Sequence, residues 1–214
     1  MSPDDVVQFL RSHPQFFDQH PELLESIYVP HPHGGRAIAL SERQILGLRE
    51  KAKLLEGRLA ELLRFGAENE AIGEKVQRLS LALLGARDFT AAVQAIHFHL
   101  REDFSVPHVA LRLWGRLLPE GAPEGAAVED ALRATVEAMG APQCGPAMGS
   151  PFVAWFGDAQ VHVRSVALVP LGQTRSMGLL AFGSEDPQRF YAEMGTLFLR
   201  RIGELVAGAL ASRL

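Results

Sequence analysis

The residues of this 214-residue chain with the most chemical capacity are one cysteine and eight histidines. Cys144 can be paired on paper with His162 or His108 as thiolate and base, the minimum that nucleophilic catalysis requires. It stands in Pro142-Gln143-Cys144-Gly145-Pro146, with no second cysteine to resolve an oxidised intermediate. A single cysteine also excludes an internal disulfide framework and a four-thiolate zinc site. His13, His20, His31 and His33 crowd the first 33 residues, and imidazole is the commonest transition-metal ligand. Yet His13 and His20 each precede a proline at a helix start, and His31 and His33 belong to an extended connector. They read as compositional features rather than as ligands. Phosphate loops, zinc-finger spacings and nucleophile elbows are absent from the sequence. The expectation is therefore no catalytic constellation, no metal and no cofactor.

Charge narrows the partners. Twenty-one Lys and Arg face 25 Asp and Glu, a formal charge of −4, which argues against a nucleic-acid binder. The amino terminus, Met1-Ser2-Pro3-Asp4-Asp5, carries acids where a secretory signal carries bases. The longest uncharged stretch, residues 138–157, is broken by three glycines before Pro151 and by Pro142, Pro146 and Pro151, so it is not a membrane span. A cytoplasmic protein is expected.

The elements that must position any site follow from periodicity. Residues 3–28 read as short helices, with Asp4 or Asp5 as first cap and Pro14 and Pro21 opening later turns. Their apolar residues, among them Phe9, Leu10, Phe16, Phe17, Leu23, Leu24 and Ile27, are too many for a 25-residue piece to bury alone. After a connector over residues 29–35, Ser41-Glu42-Arg43-Gln44 has the capping-box pattern that opens a long helix. Ile45, Leu48, Ala52, Leu55, Leu59 and Leu62 then alternate by three and four, the seam of a left-handed coiled coil. Six basic and four acidic residues intermingle over residues 42–64, a solvated face rather than a nucleic-acid stripe. The seam moves out of step beyond Asn69, which suggests a stutter or bend.

Gly85 ends that helix, and Asp88 caps the next. Residues 109–114 alternate as a half-buried strand. Residues 115–127 read as loop and 129–139 as a short helix. Residues 152–156, 161–169 and 177–182 are strand candidates, the last two forming a hairpin. A closing helix over 191–213 carries Phe198 and Leu205 on its apolar stripe, with Gly203, Ala207 and Ala211 spaced for close packing. The order gives an α+β fold with an antiparallel sheet and flanking helices.

The run Val166-Ala167-Leu168-Val169-Pro170-Leu171, followed by Met177-Gly178-Leu179-Leu180-Ala181-Phe182-Gly183-Ser184, resembles the closing hairpin of a GAF domain. The first half adds Val7-Gln8-Phe9-Leu10, His13-Pro14-Gln15-Phe16-Phe17, His20-Pro21-Glu22-Leu23-Leu24, Val29-Pro30-His31 and Ser41-Glu42-Arg43-Gln44. Together these resemble domain-of-unknown-function family 484, a group of bacterial GAF-like proteins, over nearly the whole chain. The resemblance implies an N-terminal helical region (1–40), a long connecting helix (41–84) and a GAF-like domain (85–214), with no established activity. Family members are often encoded near a tyrosine recombinase, which implies a link to DNA maintenance that no residue here carries. The Asn-Lys-Phe-Asp-Glu signature of cyclic-nucleotide binders and the Cys-His pair of bilin attachment are missing.

Because GAF-like domains hold ligands between sheet and loops, the resemblance makes Arg112, Trp114, Trp155, His162 and Arg164 pocket candidates. The seam residues Ile45, Leu48, Leu55, Leu59 and Leu62, with Phe198 and Leu205, are candidates for a homodimer interface. The leading expectation is a non-catalytic, dimeric GAF-like protein that senses or binds a small molecule. The alternative is an interaction adaptor that uses its N-terminal helices to hold a protein partner around an empty GAF-like core.

Overall fold

The computed structural model describes residues 2–29, 38–115, 118–172 and 176–214. These fall into two compact units, Met1–Ala67 and Glu68–Leu214.

The first unit begins with α1 (Pro3–Ser12), α2 (Phe16–Gln19) and α3 (Glu22–Ser26). Ser2, not Asp4 or Asp5, caps α1. Its hydroxyl accepts from the Asp5 N–H at 3.2 Å, while the Asp5 carboxylate accepts from the Ser2 N–H at 2.6 Å. The expected cap was displaced by one that satisfies two orphan donors at once. His13 stacks on Phe9 with ring centroids 4.3 Å apart, and its Nδ1 lies 3.0 Å from the Phe9 carbonyl oxygen. Strands β1 (Tyr28–Val29) and β2 (Ile38–Ala39) form an antiparallel pair. The connector between them, including His31 and His33, lies outside the described residues.

Helix α4 (Leu40–Gly85) begins one residue before the expected cap, so Ser41 lies in its first turn. It runs unbroken through Gly57, Gly66 and Gly73, which individually cost about 1 kcal/mol of helix propensity relative to alanine. The seam side chains Ile45, Leu48, Leu55, Leu59 and Leu62 are all exposed.

The second unit is built on a four-stranded antiparallel sheet of order β3-β6-β5-β4. Its strands are β3 (His108–Leu113), β4 (Gln143–Pro146), β5 (Ser165–Leu171) and β6 (Gly178–Ser184). One face, carrying Val109, Leu111, Leu113, Ala167, Val169, Leu171, Leu180 and Phe182, packs against helices. Leu79 and Leu83 of α4 meet it, with α5 (Phe89–Glu102) and α7 (Leu197–Ala211). Asp88 caps α5, its carboxylate accepting from the Ala91 N–H at 2.8 Å. Gly203 lets α7 lie on the sheet, since a Cβ there would stand 2.6 Å from Val169 Cγ1. Arg213 then closes the end of α4, donating to the carbonyls of Leu83 (2.7 Å) and Ala86 (2.8 Å). Asp103, after α5, accepts from Arg78 of α4 and lies 2.6 Å from His99 Nδ1.

The hairpin that carries the GAF resemblance forms as expected, and the fold is α+β with helices flanking an antiparallel sheet. Three local expectations are corrected. Residues 152–156 are not a strand; they belong to a 3-10 segment, Pro151–Val161, with Gly157 at φ +59° breaking its regularity. Pro151 occupies its first turn, where a missing N–H costs nothing. The sheet instead takes its fourth strand from β4, inside the Gly- and Pro-broken stretch 138–157. Helix α7 starts at Leu197, six residues later than expected. Among the described residues, no helix is long and apolar enough to cross a membrane.

Candidate ligand site

Alternation along β3 sends Val109, Leu111 and Leu113 to the helical face and His108, Ala110 and Arg112 to the other, with Trp114 continuing the second row. That second face receives Leu168 from β5 and Leu179 and Ala181 from β6. It is covered by α6 (Asp130–Glu137), through Leu132 and Val136, and by Phe152, Trp155 and Phe156 of the 3-10 segment. Gly183 is the device that admits the cover: a Cβ there would stand 3.0 Å from the Phe156 ring.

The polar groups under this cover are unusual. The Arg112 guanidinium lies 5.7 Å from the Trp155 ring centroid, within cation–π range, and its Nη1 donates to the Leu111 carbonyl at 2.9 Å. Trp155 meets Phe152 edge to face at 5.2 Å. Trp114 is 8% exposed, and its Nε1 is buried with no hydrogen-bond partner. His108 Nε2 is likewise buried without one; the Glu185 carboxylate stands 3.7 Å away, beyond hydrogen-bond reach. A buried donor left unsatisfied costs about 1–3 kcal/mol, so each such group calls for a reason.

Of the five sequence-derived pocket candidates, Arg112, Trp114 and Trp155 come together under the cover. His162 ends the 3-10 segment with its side chain exposed, and Arg164 is exposed just before β5. The dimer candidates separate similarly: Phe198 and Leu205 are half-buried, Leu205 against the helical core, whereas the α4 seam is open. His108, Phe152, Phe156 and Gly183 were not singled out as site residues. His108 was within reach of the sequence, since it lies in the same two-residue phase as Arg112 and Trp114.

Cys144 sits on β4 and packs on the helical face, opposite the face that carries His108. Burial pushes its thiol pKa up, the reverse of what a nucleophile needs. Among the described residues, no cluster of three His, Cys, Asp or Glu side chains is arranged to hold a metal ion. A separate open groove of about 740 Å³ runs between α7 and residues 137–142, lined by Arg200, Glu204 and Ala207 among others. None of the five pocket candidates lines it.

The family model described as "Protein of unknown function, DUF484" matches residues 1–213. The chain belongs to the DUF484 family. This DUF484 chain is 27% identical over 206 residues to the uncharacterized protein YigA of Salmonella typhimurium, covering 92% of this chain and 86% of that protein. It is 28% identical over 204 residues to the uncharacterized protein YigA of Shigella flexneri, with the same coverage. Among solved structures, the A. aeolicus nlh2 GAF domain in an inactive state aligns with 68% of the DUF484 chain and 99% of its own. The TM-score is 0.46 and the identity 12%.

Proposed function

We propose that this protein is a non-catalytic, dimeric GAF-like protein that binds or senses a small molecule between the β3 face of its sheet and the 3-10 cover. The observation that carries the reading is the buried, unpartnered Trp114 Nε1–H on the strand face that also presents Arg112. An occupant with a hydrogen-bond acceptor would satisfy the indole N–H that the protein leaves unpaired. Aromatic walls with few polar groups are the usual lining of a small-molecule site. The raised pKa of Cys144 and its separation from His108 favour binding over nucleophilic chemistry.

Native mass spectrometry of the protein purified from bacterial cells without denaturation tests the reading. A non-covalent adduct that disappears in Trp155→Ala, while that variant stays folded by circular dichroism, is expected. An adduct-free native protein would overturn it.

A second reading, an adaptor that captures a protein partner, is favoured by the first unit, whose helices α1, α2 and α3 contain no buried residue. Val6, Val7, Phe9 and Ile27 are exposed apolar side chains there. Deleting residues 1–40 would then abolish partner capture and leave the GAF-like domain folded.

A further inference from the structure

The α4 seam determines more than the existence of an interface. Intervals of three and four assign Ile45, Ala52 and Leu59 to one core position of the heptad (a) and Leu48, Leu55 and Leu62 to the other (d). Ile45, Leu48, Leu55, Leu59 and Leu62 are 48–67% exposed, and leucine at every d with β-branched Ile45 at the first a suits two strands. The flanking g positions are then Gln44, Lys51 and Arg58, and the flanking e positions are Glu42, Arg49, Glu56 and Leu63.

These flanks distinguish the two orientations. In a parallel, in-register pair each g residue faces the e residue five positions later on the other copy. Lys51 then meets Glu56 of the second copy, twice by symmetry, while Gln44 faces Arg49 and Arg58 faces Leu63, so no like charges oppose. In the antiparallel pair of greatest overlap, Ala52 layers with Leu55 and g faces g. Lys51 then meets Arg58 of the second copy twice, cancelling the favourable Arg49–Glu56 contacts that e-to-e pairing would give.

We propose that two copies of this chain associate through residues 45–62 of α4 as a parallel, in-register two-stranded coiled coil, its direction set by Lys51 and Glu56. The inference rests on the dimer reading above, and the experiment separates the two. In the full chain carrying Cys144→Ser, the substitutions Leu48→Cys, Leu55→Cys and Leu62→Cys are introduced singly and oxidised with diamide. All three side chains are exposed, so none is needed for the fold. Parallel pairing places each new cysteine beside its own copy, and all three variants are expected to form covalent dimers.

Antiparallel pairing leaves Leu48→Cys and Leu62→Cys uncrosslinked yet links Leu48→Cys to a co-expressed Leu59→Cys chain, which overturns the orientation but keeps the dimer. A monomer by sedimentation overturns both. Charge reversal gives an independent readout: Lys51→Glu raises the dimer dissociation constant several-fold in the parallel pair, and Glu56→Lys added to it restores association. In the antiparallel pair Lys51→Glu would face Arg58 and tighten association, the opposite sign.

Discussion

Two glycines on α7 make a paired test of how that helix lies on the sheet. At Gly203 an added Cβ would stand 2.6 Å from Val169 Cγ1, far inside the roughly 3.5–4.0 Å of a favourable carbon contact. Val169 is fully buried and β-branched, with little rotamer freedom to yield. Overpacking of this kind costs about 1–3 kcal/mol, while replacing glycine by alanine inside a helix returns about 1 kcal/mol. Gly203→Ala is therefore expected to destabilise the protein by about 1 kcal/mol. At Gly208 on the same helix nothing lies within 4 Å, so Gly208→Ala keeps only the favourable term and stabilises by about 1 kcal/mol. Urea unfolding followed by circular dichroism reads the difference, with all samples at one protein concentration because association would otherwise enter the midpoint. With a slope of roughly 2 kcal/mol per molar, the two midpoints should separate by about 1 M. Equal shifts in the same direction would refute the packing of α7 on β5.

Arg213→Ala should lower stability by about 1–3 kcal/mol, because it uncaps the carbonyls of Leu83 and Ala86; an unchanged thermal midpoint would count against the clamp. The hydrogen bond from His99, supported by Arg78, holds the Asp103 carboxyl below its ordinary pKa of 3.8. A depressed carboxylate stabilises the fold above its unfolded pKa and loses that contribution as pH falls through the folded value. Asp103→Asn should therefore lower the melting temperature near pH 6, with the gap closing as pH drops below about 3.8; a gap independent of pH would contradict it. Burial raises the Cys144 thiol pKa, so iodoacetamide should label it more slowly than free cysteine at neutral pH, and rapid labelling would show an activated thiol.

Where one period ran for several turns or several alternations, the elements could be read from the residues: α5 behind its Asp88 cap, β3, and the β5–β6 hairpin. A glycine inside a strand, Gly178 marks a close approach, and a Cβ there would stand 2.6 Å from Leu113 Cδ2. The failures have physical causes. Phe152-Val153-Ala154-Trp155-Phe156 is a short apolar run whose periodicity does not separate strand from helix, and Pro151 and Gly157 were the usable signals. Strand β4 has a glycine and a proline in four residues, and it is tolerated because it lies at the sheet edge, where a missing N–H breaks no inner ladder. The candidacy of Arg112 and Trp114 came with the GAF resemblance, and their shared strand face was legible. Their meeting with Trp155 was not, because the apolar run 152–156 that brings Trp155 over β3 fits a strand as readily as a helical cover.

The most direct test of the ligand-binding account is a crystal structure of the protein purified without denaturation. The account predicts electron density for a small molecule between β3 and residues 151–161, with an acceptor atom within hydrogen-bond distance of Trp114 Nε1. Side chains packed as described, with no density beyond water beside Trp114 and His108, would contradict it.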